Sequence, residues 1–121
     1  MLILPIKKQW FDMILLPEEE EPKRDEYREI KPYWGTRFAK VLGFPDHKAL
    51  DEALLSGYVS DPFPVIFRNG YQTFAPACKA EVRLAIGAGK TKWGAVTGRS
   101  YYKLLIQKRP EMITRKKENR S

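Results

Sequence analysis

The chain has 121 residues, of which 43% are hydrophobic, and this size and composition suit one domain with a single modest core. Its only cysteine, Cys78, and only histidine, His47, exclude an internal disulfide, a cysteine-based zinc site and a histidine-rich metal site. No apolar run reaches the roughly 18 residues of a membrane span, so we expect a cytoplasmic protein that does not enter membranes. We also expect a monomer without cofactor or metal, with Cys78 as a buried apolar residue.

The net charge of +7 is divided unequally along the chain. Residues 1–61 carry 9 basic and 12 acidic side chains, whereas residues 62–121 carry 13 basic and 3 acidic ones. The second half is therefore predicted to attract a polyanion. The domain is predicted to span residues 1–107, and residues 108–121 form a basic tail whose composition is typical of solvated or disordered ends.

The N-terminus predicts a short buried strand over residues 2–4, followed by a helix with Pro5 in its first turn that ends near Leu16. Lys7 and Lys8 would lie at the start of this helix, where positive charge opposes the helix dipole. They are therefore candidates for ligand binding, although two solvated lysines are the simpler interpretation. The acidic segment that follows, bracketed by two prolines, predicts a surface loop.

Residues 23–34, with the sequence KRDEYREIKPYW, combine charged and aromatic side chains in a way that a purely structural strand does not need. In an extended segment Glu26 and Arg28 point to one face, together with Arg24. Lys23 has the opposite parity and can join them only if the chain bends near Pro22. This row either forms the floor of a cleft for a phosphate or polar base, or is an ion-paired strand in solvent.

Two helices are predicted next. The first begins at Pro32 and ends at Gly43, and it could turn Arg37 toward the charged strand. The second runs from Asp46, its N-cap, to Ser56 and is predicted to serve packing alone.

From residue 61 onward the pattern is that of strands. Residues 64–68 are followed by Asn69-Gly70, a tight hairpin signal leading into residues 71–74, and Arg68 and Asn69 at the strand end are binding candidates. Further strands are predicted over residues 80–86, with Glu81 on a charged face, and over residues 101–106. Trp93, beside Lys92, is expected to be exposed. Five to six mixed strands with two to three short helices predict an α+β fold built on a small, partly closed barrel or a strongly curved sheet.

Three blocks of sequence resemble the ASCH domain family, whose β-barrel is related to the PUA domain, and in particular its small bacterial and phage single-domain members. Lys23, Glu26 and Arg28 match the family motif G-x-K-x-x-E-x-R in register, with Glu21 in place of its glycine. The N-terminal LPIKKQWFDMI and the later Trp93-Gly94-Ala95, Gly98 and Tyr101-Tyr102 are similar to the same subgroup.

The resemblance and the basic, aromatic-rich second half imply a domain that binds RNA or a nucleotide. The candidate binding residues are Lys7, Lys8, Lys23, Glu26, Arg28, Arg37, Arg68, Asn69 and Trp93. The alternative is a ribonuclease or a small amidohydrolase that acts on an acylated nucleoside such as N4-acetylcytidine, with Lys23, Glu26 and Glu81 in catalysis. In such amidohydrolases a threonine stands where this chain has Glu26. The negative charge of Glu26 is expected to raise the pKa of Lys23 and so to disfavour catalysis by this lysine. An adaptor that uses the acidic loop rests on charge alone.

Overall fold

A computed structural model describes residues 1–113 as an α+β fold in which three helices pack against one curled, mixed sheet. The strands are β1 (Leu2–Ile6), β2 (Asp25–Glu29), β3 (Phe63–Asn69), β4 (Ala77–Ala88), β5 (Ser100–Ile106) and β6 (Glu111–Met112). The helices are α1 (Lys8–Ile14), α2 (Pro32–Leu42) and α3 (His47–Leu55), and short 3-10 turns span Glu18–Glu20 and Thr91–Trp93. The predicted class, the number of elements and the strong curvature of the sheet are confirmed.

The sheet has the order β1-β3-β4-β5-β2, with β6 paired to the start of β4. β1 runs parallel to β3, and every other pair is antiparallel. β1 and β2 therefore lie at opposite ends of the sheet, yet Nη2 of Arg28 in β2 donates a hydrogen bond of 2.8 Å to the carbonyl of Pro5 in β1. The sheet thus curls into a half-barrel whose two end strands are joined by a side chain.

The core lies on the inner face of the curled sheet and beneath α2 and α3. Alternate residues of the strands point into it, because successive side chains of a strand face opposite sides. In β4, Val82 and Leu84 are buried while Glu81 and Arg83 are exposed, as the alternating pattern predicted. Other fully buried core residues are Leu4, Phe38, Leu50, Val65, Phe67, Tyr102 and Leu104.

The two later helices agree with their sequence signals. α2 begins at Pro32 and is followed by Gly43, whose φ of 82° is the left-handed conformation common after a helix. α3 is capped by Asp46, whose carboxylate accepts a hydrogen bond of 2.8 Å from the amide of Ala49. None of the helices within residues 1–113 is long and apolar enough to cross a membrane.

The first strand and the hairpin differ from the prediction. Pro5 continues β1 instead of opening the helix, which starts three residues later, and proline is tolerated there because β1 is an end strand of the sheet. Asn69-Gly70 does not form a two-residue turn, since β4 begins only at Ala77 and the amide of Asn69 bonds to the carbonyl of Pro76 at 2.8 Å. The segment predicted as a strand, residues 71–74, is part of this longer loop.

The packed domain also extends beyond the predicted boundary at residue 107. Pro110 is buried, and Glu111–Met112 pair with Cys78 and Lys79 of β4. Arg109 donates through Nη2 to the carbonyl of Leu15 at 2.8 Å. The beginning of the predicted basic tail therefore belongs to the domain, and the rest of it, residues 114–121, lies outside the described residues.

Candidate functional site

β2 directs two charged side chains into the barrel. Glu26 lies opposite Leu104 and Arg28 lies opposite Tyr102 across the antiparallel pair with β5, and directly opposed residues share one face of a sheet. Leu104 and Tyr102 belong to the buried core. The sequence thus places a carboxylate and a guanidinium at positions where the other strands carry apolar side chains.

Lys23 joins them from outside the strand, as the sequence required, because the chain turns just before it. Glu21 has a φ of 52°, and the amide of Lys23 bonds to the carbonyl of Met13 at 2.9 Å. Nζ of Lys23 donates to Oε1 of Glu26 at 2.5 Å and also to the carbonyl of Asp25. Only 1% of Lys23 is exposed.

Burial lowers the pKa of Lys23 below its ordinary value, although the charge of Glu26 acts in the opposite direction. The sequence-based expectation concerned the effect of Glu26 alone and did not include burial. Glu26 has the expected effect, but the loss of solvent around the ammonium outweighs it.

Arg28 completes the group. Its Nη1 donates to Oε2 of Glu26 at 2.5 Å and to the carbonyl of Tyr27 at 2.8 Å, and its guanidinium lies 5.0 Å from the ring centre of Trp34. We refer to Lys23, Glu26 and Arg28 as the Lys-Glu-Arg cluster. One carboxylate bonded by two cations leaves the cluster with a net positive charge. Arg24, expected on the same face, is exposed and pairs with Glu18 instead.

An open cleft of about 730 Å³ lies between the β1–α1 junction, the start of α2 and the loop after β3. We call it the basic cleft, because five cations line it: Lys7, Lys8, Arg28, Lys31 and Arg37. Four aromatic residues share the lining, namely Trp10, Tyr33, Trp34 and Tyr71. Six predicted binding residues are brought together here, which are Lys7, Lys8, Glu26, Arg28, Arg37 and Asn69.

The cations of the basic cleft are only partly neutralised. Lys8 pairs with Asp12 and Lys31 pairs with Glu29, but the attraction within an exposed ion pair is weak. Within residues 1–113, Lys7 has no ion-pair partner. Arg37 stacks 3.6 Å from the ring centre of Tyr33 and donates to the Tyr33 carbonyl, so it is held toward the cleft without a carboxylate partner among the same residues. All five cations come from the half of the chain with the negative balance, a result that the charge count by halves did not predict.

A second cavity of about 230 Å³ adjoins the first. We call it the aromatic cavity, since its lining includes Trp10, Tyr27, Trp34, Trp93 and Tyr101 beside Glu26, Arg28, Glu29 and Gly94. Trp93, predicted to be exposed, is only 6% exposed, because a 3-10 turn followed by Gly94 with a φ of 99° directs its ring inward. The exposed lysines Lys90 and Lys92 lie over this ring, with Nζ 4.8 and 5.0 Å from its centre.

Three predicted site residues line neither cavity. Lys23 lies behind Glu26 and holds its carboxylate. Arg68 turns back onto its own loop, where it donates to the carbonyls of Gly70 and Tyr71 at 3.2 Å. Glu81 is exposed on the outer face of β4, because it is three residues from the inward-facing Leu84, and it cannot act together with Glu26.

Sequence reasoning missed much of the aromatic lining and one cation. Trp10 lies within the first predicted helix and Tyr33 and Trp34 follow Pro32 at the start of the second, so the helix pattern did not identify them as binding residues. The available signal was position, since Lys31, Tyr33 and Trp34 directly follow the charged strand in sequence. Tyr71 belongs to the aromatic-rich second half, but its segment was predicted as a strand, whereas it lies in a loop with 83% of its surface exposed.

The two cavities offer cations, aromatic rings and the carboxylates of Glu26 and Glu29. Within residues 1–113, no group of three or more His, Cys, Asp or Glu side chains is arranged to hold a metal ion. No family model, curated protein or solved structure matches this chain. Its function is therefore inferred from the geometry of the site.

Proposed function

We propose that this chain is an ASCH-like domain that binds single-stranded RNA or a nucleotide in the basic cleft. The observation that carries the proposal is the convergence of five cations and four aromatic residues on one open cleft. Cations hold phosphates, and aromatic rings stack on bases without regard to their identity. The cleft volume of about 730 Å³ lies within the range of about 300–1,000 Å³ that is usual for ligand sites.

The distribution of exposed and buried charge supports binding. Lys7, Lys8 and Arg37 are exposed, so they can meet phosphates without losing buried partners. Glu26 keeps accepting capacity after its bonds to Lys23 and Arg28, because each carboxylate oxygen has two lone pairs. It can therefore accept a hydrogen bond from a base amino group while the surrounding cations offset its charge.

The conformation of Glu21 supports the ASCH resemblance. Among residues 1–113 it is the one non-glycine residue with a positive φ, and it occupies the position at which the family motif has glycine. Glycine adopts this conformation without a steric penalty. The turn that lets Lys23 reach Glu26 thus needs the backbone conformation that the motif glycine would provide.

A hydrolase that acts on an acylated nucleoside is the second candidate, and the position of Glu26 favours it. The carboxylate lines both cavities, where it could move a proton to or from a bound amide. Lys23 has a lowered pKa, but it lines neither cavity and is bonded to Glu26, which suits a positioning residue. Glu81 has no part in this version because it lies on the outer face.

The test is binding of a short single-stranded RNA over a salt series by the wild type, Lys7→Ala and Arg37→Ala. Lys79→Ala is the matched control, because Lys79 is an exposed lysine of β4 that lines neither cavity. We expect each cleft variant to bind about 3- to 10-fold more weakly and to reduce the salt slope by about 0.7 for each lost phosphate contact. The control should match the wild type.

Absence of binding to both the RNA and cytidine monophosphate, or equal losses in all three variants, would contradict the proposal. Acetate released from N4-acetylcytidine by the wild type but not by Glu26→Gln would establish the hydrolase instead. Release that Glu26→Gln leaves unchanged would exclude the role given to this carboxylate.

A further inference from the structure

The basic cleft and the aromatic cavity share a wall. Glu26, Arg28, Trp10 and Trp34 line both. Arg28 is fixed there by hydrogen bonds to Glu26, Tyr27 and Pro5, so the wall is held from both β1 and β2. A ligand that occupies one cavity therefore lies directly beside the other.

The aromatic cavity has the size and the chemistry of a site for one planar ring. Its volume of about 230 Å³ is below the usual range for whole ligands and far above the roughly 30 Å³ of a single water molecule. Five of its nine lining residues are aromatic, and among them the Tyr27 and Tyr101 rings pack against each other with 5.5 Å between their centres. Glu26 and Glu29 add hydrogen-bond acceptors at the edge.

Cations lie near this cavity in two places. The basic cleft adjoins it, and Lys90 and Lys92, which do not line the cavity themselves, lie over the ring of its lining residue Trp93. Both lysines are exposed, and within residues 1–113 neither has a carboxylate partner. Positive charge that continues past an aromatic site is the arrangement with which proteins follow the backbone of a single strand.

We infer that the aromatic cavity is a second subsite that takes one unpaired nucleobase, with phosphates held in the basic cleft on one side and by Lys90 and Lys92 on the other. This inference rests on the proposed binding function and narrows its ligand to a single strand of at least two nucleotides. A free nucleotide would fill only one of the two positions.

The acceptors of the cavity add a preference among bases. Glu26 and Glu29 can accept from the exocyclic amino groups of cytosine, adenine or guanine. Uracil has a carbonyl oxygen at the position of the cytosine amino group. This oxygen is an acceptor, so it cannot donate a hydrogen bond to either carboxylate. Arg28 offsets this only in part, because three of its five N–H donors are already bonded to Glu26, Tyr27 and Pro5.

The experiment compares cytidine monophosphate with the trinucleotides CpCpC and UpUpU, using the wild type, Lys90→Ala, Lys92→Ala and the control Lys79→Ala. We expect CpCpC to bind at least about tenfold more tightly than the mononucleotide, because it adds a stacked base and phosphate contacts. Lys90→Ala and Lys92→Ala should each weaken CpCpC about 3- to 5-fold and leave the mononucleotide unchanged. UpUpU should bind about 3- to 10-fold more weakly than CpCpC.

The two proposals fail in distinguishable ways. Equal affinity for mononucleotide and CpCpC, with no effect of Lys90→Ala or Lys92→Ala, would overturn the second subsite and leave the basic cleft as the binding site. No binding of any of the three ligands, by a wild type with a cooperative unfolding transition, would overturn both. All the variants remove exposed lysines, so a change in affinity can be read without loss of the fold.

Discussion

Lys23 and Glu26 form a buried ion pair, with 2.5 Å between Nζ and Oε1 and only 1% and 5% of their surfaces exposed. Lys23 precedes β2 and lines neither cavity, whereas Glu26 lines both. The lysine therefore acts on the site through the carboxylate that it holds in place. Two groups taken out of water in this way depend strongly on each other.

We expect Lys23→Met to lower the free energy of unfolding by about 3 kcal/mol, because Glu26 would keep Arg28 but lose its buried ammonium partner. Glu26→Gln should also destabilise the fold. Urea unfolding of both single variants and of the double variant should give a coupling energy above about 1 kcal/mol. Additive losses would mean that the two side chains do not stabilise each other.

Arg28 joins the end strands of the sheet, so Arg28→Lys should destabilise the fold although it preserves the charge. A lysine cannot reproduce the planar fork that bonds to Glu26 and Pro5 together. We expect a loss of about 1–3 kcal/mol and faster amide hydrogen exchange in β1. Arg83→Lys on the outer face of β4 is the matched control and should match the wild type in both measurements.

Much of the fold was predictable because its signals are local. Pro32, Gly43 and Asp46 marked the ends of α2 and α3, and the alternation of Glu81, Val82, Arg83 and Leu84 identified the two faces of β4. Pro5 misled because proline is compatible both with a helix start and with an end strand, and only the sheet order distinguishes the two. The two-residue hairpin predicted from Asn69-Gly70 was wrong because the next strand begins several residues later.

Glu21→Gly tests the strained turn before Lys23. A left-handed conformation costs an L-residue roughly 1–2 kcal/mol, while glycine adds about 0.5–1 kcal/mol of entropy cost on folding. We therefore expect the variant to be more stable by about 0.5–1 kcal/mol in thermal or urea unfolding. Glu21→Ala, which keeps the strain, should show no comparable gain. A gain of the same size with alanine would point to the lost charge of Glu21 and not to its backbone.

Gly94 brings the chain against Trp10 in the aromatic cavity, and Gly94→Ala can be compared with Gly98→Ala. Both glycines have positive φ values, 99° and 84°. A Cβ at Gly94 would lie 3.0 Å from Cζ2 of Trp10, whereas one at Gly98 meets nothing within 4 Å. We expect about 1 kcal/mol of destabilisation from conformation in both variants and a further loss only in Gly94→Ala.

Indole fluorescence provides the second measurement for this pair, because a displaced Trp10 ring changes its surroundings. The emission spectrum should shift in Gly94→Ala and remain unchanged in Gly98→Ala. Identical stability losses and identical spectra would show that Trp10 can move away from Gly94 without cost.

Cys78 predicts a loss of stability in alkaline solution. Burial raises the pKa of its thiol from 9.0 to about 11, so between these values the unfolded chain releases a proton that the folded chain retains. The contribution of Cys78 to the free energy of unfolding is fully present below pH 9. It falls by up to about 1.4 kcal/mol for each pH unit as the pH rises toward 11. Urea unfolding at pH 8 and pH 10.5 should show this fall in the wild type relative to Cys78→Ala, in which the tyrosines still titrate.

The site was less predictable than the fold. The motif identified Glu26 and Arg28, and Lys7 and Lys8 at the start of α1 were recognised by their unfavourable position relative to the helix dipole. The inward turn of Trp93 and the backward turn of Arg68 depend on loop conformation: Gly94 lies against Trp10, and Arg68 bonds to the carbonyl of Gly70 in its own loop. Residue type indicated the chemistry of these side chains, while their direction depended on tertiary structure.

Because β2 pairs with β5, the basic cleft can form only late in the synthesis of the chain. Its five cations all belong to the first 37 residues, yet the strand that holds β2 ends at Ile106. At about 5–20 residues per second, the nascent chain exposes these cations for several seconds before β5 leaves the ribosome. A fragment that stops before β5 would contain every cation of the cleft and still lack the cleft.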